Sequence, residues 1–207
     1  MSRSGAFYAE IWRNDQWKPI PTPKFSKGKE IPIPCVSPGT AYELYAALAG
    51  YERWGMYPLW HTEPIVPLSE PRGFPNDLNL IYKKYFGYNE YPESNKSAIK
   101  NALFHTNQQY LTWFLVQEVN DYDWDRKFPP WIGYVKSQYA LLFGDLSSFP
   151  ENFPEDEGIY IFDGEGRTEI SWVETYREFV GCIDWFIEEL LKLGNPKEVR
   201  IIFWLDY

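Results

Sequence analysis

Val199 to Leu205 reads VRIIFWL, a near-continuous run of β-branched and aromatic residues. A run of this length with no alternation to polar residues is the pattern of a central strand, buried on both faces. The rest of the chain must therefore supply a sheet around it. Ala6 to Ile11 and Gln16 to Ile20 are strand-like and flank Arg13-Asn14-Asp15, a polar break that predicts a hairpin. A second hairpin is expected where Ile159–Phe162 and Arg167–Ile170 bracket Asp163-Gly164-Glu165-Gly166, whose two glycines accept positive φ.

Helices are expected between these strands. Thr40 and Glu43 have capping-box spacing, Leu44, Ala47 and Leu48 share a face, and Gly50 closes the helix. Asn76 or Asp77 is placed to cap a short helix over 78–86, which Gly87 ends. A further short helix is expected over 96–104. From Thr112 the sequence reads as a core helix with Leu111, Phe114, Leu115 and Val119 inward. Trp131, Ile132, Val135, Tyr139 and Leu142 also fall at roughly helical spacing up to Gly144. The longest helical pattern follows a Ser171–Glu174 box and runs from Val173 to Leu191, stopped by Gly194-Asn195-Pro196. Leading strands, a helical middle and closing strands give an α+β fold, mostly antiparallel sheet with helices packed on one face, in a single domain over 1–207.

Prolines shape the connections. Pro19, Pro21, Pro23, Pro32, Pro34 and Pro38 exclude a helix or central strand, so about 18–38 is an extended arm, with Ile31, Ile33 and Val36 as apolar teeth. Its alternative reading is a proline-rich recognition segment. Residues 51–70 have no periodicity and contain Arg53, Trp54, Trp60 and His61. Loops of this kind are often functional. Pro71-Arg72-Gly73-Phe74-Pro75 is a compact turn.

Charge and composition exclude several functions. With 29 acids against 20 bases the net charge is −9, which argues against binding a nucleic-acid backbone. Two cysteines, Cys35 and Cys182, lack metal-like spacing and do not make a disulfide framework, so a reducing cytoplasm is expected. Met1 to Gly5 is not a secretory leader, and no run approaches the roughly 18 apolar residues of a bilayer span. Aromatic residues are 19% of the chain; most are expected in the core, and the surplus suggests that some rings remain partly exposed, where they could stack on flat ligands or anchor a partner.

The catalytic inventory is thin. There is no Gly-x-Ser-x-Gly elbow, phosphate loop, His-Glu-x-x-His or Cys-x-x-Cys. His61 and His105 with Asp121, Asp123 and Asp125 could in principle hold a metal, but the glycine and terminal glutamate of a calcium loop are absent at the required offsets, so an exposed acidic helix exit is expected. Nothing selects a carboxylate pair for hydrolysis. The remaining constellation is a binding pocket. The polar run His105-Thr106-Asn107-Gln108-Gln109, with Arg53, Trp54, Arg72 and Trp113, offers stacking faces and charge-assisted donors of the kind that hold a nucleotide. Each residue also has a plainer structural role. Trp54 and Trp113 suit the core, His105 a polar cap, and Arg72 a partner to Asp77 or to a loop carbonyl.

Several segments resemble an uncharacterised family common in bacteriophage and prophage genomes. They are Tyr8-Ala9-Glu10-Ile11, Tyr42 to Gly50, Glu70-Pro71-Arg72-Gly73-Phe74-Pro75-Asn76-Asp77-Leu78, Tyr110-Leu111-Thr112, Arg167 to Tyr176, and Val199 to Asp206. In order they span nearly the whole chain. The Pro-Arg-Gly-x-Pro-x-Asp-Leu segment and the closing strand are the specific parts. The resemblance implies phage origin and an accessory, host-facing role in the host cytoplasm.

Together these readings predict a non-enzymatic anti-defence protein, without cofactor, that sequesters a small nucleotide immune signal. The alternative is an inhibitor that binds a host defence or metabolic protein through an acidic, aromatic surface. A hydrolase of nucleotides or sugars is a third class. A homodimer would supply a shared pocket.

Overall fold

The strand at 199–205 lies where its composition places it. The computed structural model describes residues 5–38, 41–50, 65–70, 72–85, 109–144 and 147–205. Four strands form an antiparallel sheet in the order β2 (Gln16–Ile20), β1 (Gly5–Arg13), β8 (Val199–Leu205) and β5 (Gln109–Leu115). The chain is an α+β protein built on antiparallel sheet. Its contacts gather into two units: residues 1–41, 68–122 and 182–207 in the first, and 42–67 with 123–181 in the second.

In the first unit the β1–β2 hairpin turns at Asn14 and Asp15, both at positive φ, as the polar break requires. Pro19 is tolerated because β2 is an edge strand. Beyond it the arm forms a small hairpin, β3 (Lys24–Ser26) with β4 (Lys29–Ile31), and returns to β1 at the Phe7–Val36 bridge. Of the three expected apolar teeth only Val36 is buried.

The pleat sends alternate residues of β1 and β8 to opposite faces. On one face Phe7 stacks on Phe203 at 4.8 Å and meets Phe186 of α5 (Ile183–Leu191) at 4.9 Å. On the other, Tyr8 and Ile202 pack with Leu78 and with Tyr82 of α2 (Leu80–Tyr85). Asn79, rather than Asn76 or Asp77, caps α2, its Oδ1 accepting the Ile81 N–H at 2.8 Å.

The expected helix from Thr112 is instead β5 followed by one short helix, α3 (Val116–Asp121). Thr112, Phe114 and Val116 are buried while Trp113 and Leu115 are partly exposed, a two-residue alternation. The helical grouping of Leu111, Phe114 and Leu115 competes with that alternation in so short a stretch, and pairing with β8 decides it. The polar run over 105–108 and the expected helix over 96–104 lie outside the described residues.

In the second unit, α1 (Tyr42–Ala49) is buried at every residue from Leu44 to Ala49 and packs against α4 (Tyr176–Val180). Gly50 at positive φ ends it; Thr40 lies outside the described residues. Trp131 to Leu142 is not a helix. It is β6 (Trp131–Lys136) and a 3-10 helix over Ser137–Leu142. β6 pairs with β7 (Arg167–Trp172), so the expected hairpin has a different partner, and Tyr160 only bridges Tyr134 on the far edge of β6. Gly133 permits that approach, because a Cβ there would lie 2.5 Å from Ile159 Cγ2.

The expected helix from Val173 to Leu191 is two helices. Thr175, not Ser171, caps α4, with Glu178 returning the bond to the Thr175 N–H at 2.6 Å. Gly181 at φ 65° separates α4 from α5.

Candidate functional site

Arg72 follows Pro71 in the turn that precedes α2, and its backbone N–H reaches Thr112 Oγ1 of β5 at 3.2 Å. Thr112 is fully buried, so this bond fixes the turn against the sheet edge. The Arg72 guanidinium then lies 5.2 Å from the centre of the Trp113 ring and donates to the Trp113 carbonyl at 3.3 Å. The turn and the strand start do therefore meet in space. A guanidinium over an indole at this distance sets a positive charge against an aromatic face, the pairing that can hold a flat or anionic ligand.

Of the two partners expected for Arg72, Asp77 is not bonded to it, and the carbonyl it takes is that of Trp113 in β5 rather than one in a loop. Its acid partner is Glu118 of α3, bonded through both terminal nitrogens at 2.7 and 3.0 Å. Glu118 Oε2 also accepts the Leu115 N–H at 2.7 Å. One carboxylate thus receives a two-pronged guanidinium and a backbone amide, the donor set a phosphate oxygen would use. Partial burial pushes the Glu118 carboxyl up, but the Arg72 and Leu115 donors outweigh it and hold it below its usual range. The pair is about one-third exposed on each side.

Asp77 belongs to a second, more deeply set arrangement. Glu10 and Arg200 stand opposite each other in the β1–β8 register, both essentially buried, with Arg200 Nε 2.6 Å from Glu10 Oε2. Arg200 also bonds Asp77 Oδ1 at 2.5 Å and the Asp77 carbonyl at 3.1 Å. Asn79 donates its N–H to Glu10 Oε1 at 2.8 Å and its side-chain amide to the Trp17 carbonyl at 2.7 Å. Trp17 Nε1 donates to Asp77 Oδ2 at 2.8 Å, and its ring lies 4.1 Å below the Arg200 guanidinium. Burial raises the Glu10 carboxyl above its usual range. Burial also opposes ionisation of Asp77, but Arg200 and Trp17 together hold it low.

The sequence reading missed this group. Its signal was a single acid in Tyr8-Ala9-Glu10-Ile11 and a single base in Val199-Arg200-Ile201-Ile202, each at a buried strand position. Unlike charges in two otherwise apolar strands are best explained by pairing. Glu118 was missed because a helix starting at Thr112 gives it no special place, whereas in a helix starting at Val116 it is the third residue.

Of the six expected ligand residues, the structure brings Arg72 and Trp113 together. Arg53, Trp54, His105 and Thr106 lie outside the described residues. Trp113 is partly exposed and packs at the edge of the Tyr8–Ile202 cluster. Among the described residues no group of three His, Cys, Asp or Glu side chains is arranged to hold a metal ion. Among them, too, no helix is long and apolar enough to cross a membrane. Cys35 donates its thiol to the Phe7 carbonyl at 3.3 Å, and burial pushes that thiol up to about 12, which removes it as a nucleophile.

No protein-family model, no curated protein and no solved structure matches the chain.

Proposed function

We propose that the chain is a non-enzymatic phage accessory protein acting in the host cytoplasm, which withdraws a small anionic, nucleotide-type immune signal by binding it at the Arg72–Trp113 pair. The supporting observation is a guanidinium over an indole ring at a partly exposed position, which together with the Leu115 backbone N–H makes an anion-shaped donor set. Glu118 occupies that set in the free protein. A ligand phosphate displaces the carboxylate and takes its donors, while the base stacks on aromatic surface. Because Glu118 competes, its removal strengthens binding. Glu118→Gln therefore binds the ligand more tightly than the natural chain, by up to about fivefold, the ~1 kcal/mol at the top of the range for an exposed ion pair.

The test is incubation with a panel of cyclic nucleotides and ADP-ribose derivatives, followed by heating and analysis of what is released. Intact ligand that leaves only on denaturation supports sequestration. Chemically altered ligand contradicts the non-enzymatic reading, and retention of no panel member contradicts the nucleotide reading.

A second reading, an inhibitor that occupies a host protein, is favoured by the exposed acidic and aromatic surface of the second unit. Phe162 is 67% and Leu141 96% exposed there, and the net charge of −9 favours this reading over an anionic ligand.

A further inference from the structure

Resting on that second reading, we propose that one face of the second unit is a docking surface for a basic protein segment, one with Lys or Arg side chains around one or two apolar anchors. The charge of this chain is concentrated there. Residues 145–169 hold eight carboxylates and one arginine, a net of −7 within a total of −9. Glu151, Glu155, Asp156, Asp163, Glu165 and Glu169 are exposed. The one base of the stretch, Arg167, lies 3.7 Å over the Tyr160 ring and donates to the Phe162 carbonyl, which turns it toward an aromatic face. Glu157 is taken by Lys136 at 2.7 Å.

The second unit also carries exposed apolar groups that a solvated acidic loop does not need. The 3-10 helix at 137–142 has no buried residue, and Leu141 on it is 96% exposed. Beneath it the rings of Tyr139, Phe143, Phe149 and Phe153 form an edge-to-face cluster with centroids 5.4 to 5.9 Å apart, which holds the acidic stretch against the helix. The Tyr139 hydroxyl bonds Glu157 at 3.4 Å, tying the carboxylates to the same cluster. Phe162 is 67% and Phe149 40% exposed. Apolar anchors within a rim of one charge sign make a protein interface, the charges setting partner choice and encounter rate and the anchors setting residence time. A nucleic acid, an anionic membrane or the same face of a second copy would meet like charge. A basic protein meets complementary charge.

The experiment uses the full chain and three labelled synthetic peptides: an amphipathic Lys/Leu helix, an oligolysine of equal charge, and the Lys/Leu peptide with Glu for Lys. Binding is followed by fluorescence anisotropy at low and physiological salt. The Lys/Leu peptide is expected to bind at least about tenfold more tightly than oligolysine, and the Glu peptide not at all. Leu141→Ser and Phe162→Ser should each weaken it about tenfold, the effect of ~1.4 kcal/mol, with unchanged melting temperature. The double variant Glu155→Gln, Asp156→Asn should reduce the salt dependence. Equal binding of oligolysine and Lys/Leu peptide, or indifference to both apolar substitutions, overturns the proposal, as does absence of binding at low salt. Arg72→Ala should leave peptide binding unchanged and Leu141→Ser should leave nucleotide retention unchanged, so the two sites fail separately.

Discussion

Arg200 and Glu10 carry opposite charges in the middle of a sheet where the positions flanking them along the strands are Ala9, Ile11, Val199 and Ile201. Removing two ions from water is costly, and the partners offset that cost only in part: Arg200 meets Glu10 and Asp77, and Glu10 also takes the Asn79 N–H, yet burial still holds the Glu10 carboxyl above its usual range. Arg200→Met should leave Glu10 buried without its countercharge and lower unfolding free energy by about 3–5 kcal/mol in urea titration. The double variant Glu10→Met, Arg200→Met should be less destabilised than Arg200→Met alone. A different residue-scale test concerns Glu174, which burial raises above the usual carboxylate range although the Trp131 indole N–H donates to it. A raised folded pKa means that stability present at low pH is lost as pH rises through that value. Glu174→Gln keeps an acceptor for Trp131 and has no charge to desolvate. It should melt higher than the natural chain at pH 7, and the gain should shrink toward pH 4.

The break between α4 and α5 makes an element-scale prediction. Gly181 sits at φ 65° and ψ −41°, a sparsely populated region where a side chain costs roughly 1–3 kcal/mol, so Gly181→Ala should lower stability by about that amount in denaturant titration. No atom lies within 4 Å of the added Cβ, so backbone strain alone sets the cost. The same region shows what was legible. The apolar rhythm from Val173 to Leu191 was real, and Tyr176, Phe179, Ile183, Phe186 and Leu190 are buried. The glycine that divides it was passed over because a 3–4 rhythm tolerates one glycine. The closing strand was legible from composition alone, since few other arrangements bury VRIIFWL, and the Asn14-Asp15 turn was legible from its chemistry. Trp131 to Leu142 was not, because its partner strand lies more than thirty residues away in sequence, and long-range pairing overrides local rhythm. Arg72 beside Trp113 was legible as residue types and not as geometry; Glu118 became meaningful only once α3 was known to start at Val116.

At the scale of the whole molecule, Asp77 and Glu118 tie sequence-distant segments of the first unit together, and both are held below their usual range. They take up protons more readily unfolded than folded. The stability they contribute is therefore complete above their ordinary values, about 3.9 and about 4.3, and drains as pH falls through the lower folded ones. Urea titrations between pH 7 and pH 3 should show this acid limb, shallower in Asp77→Asn and in Glu118→Gln. Both carboxylates are partly solvated, so the limb should also weaken with added salt. The Glu70–Leu78 stretch reaches β8 through Asp77–Arg200 and α3 through Arg72–Glu118. Ligand retention by Arg72→Ala is the most direct test of the proposed sequestration. The exposed Arg72–Glu118 pair contributes only about 0–1 kcal/mol to folding, so the variant should melt within a few degrees of the natural chain and release every nucleotide that the natural chain retains. A variant that melts markedly lower and still holds the nucleotide would contradict the account, making Arg72 a structural pin and placing the ligand elsewhere.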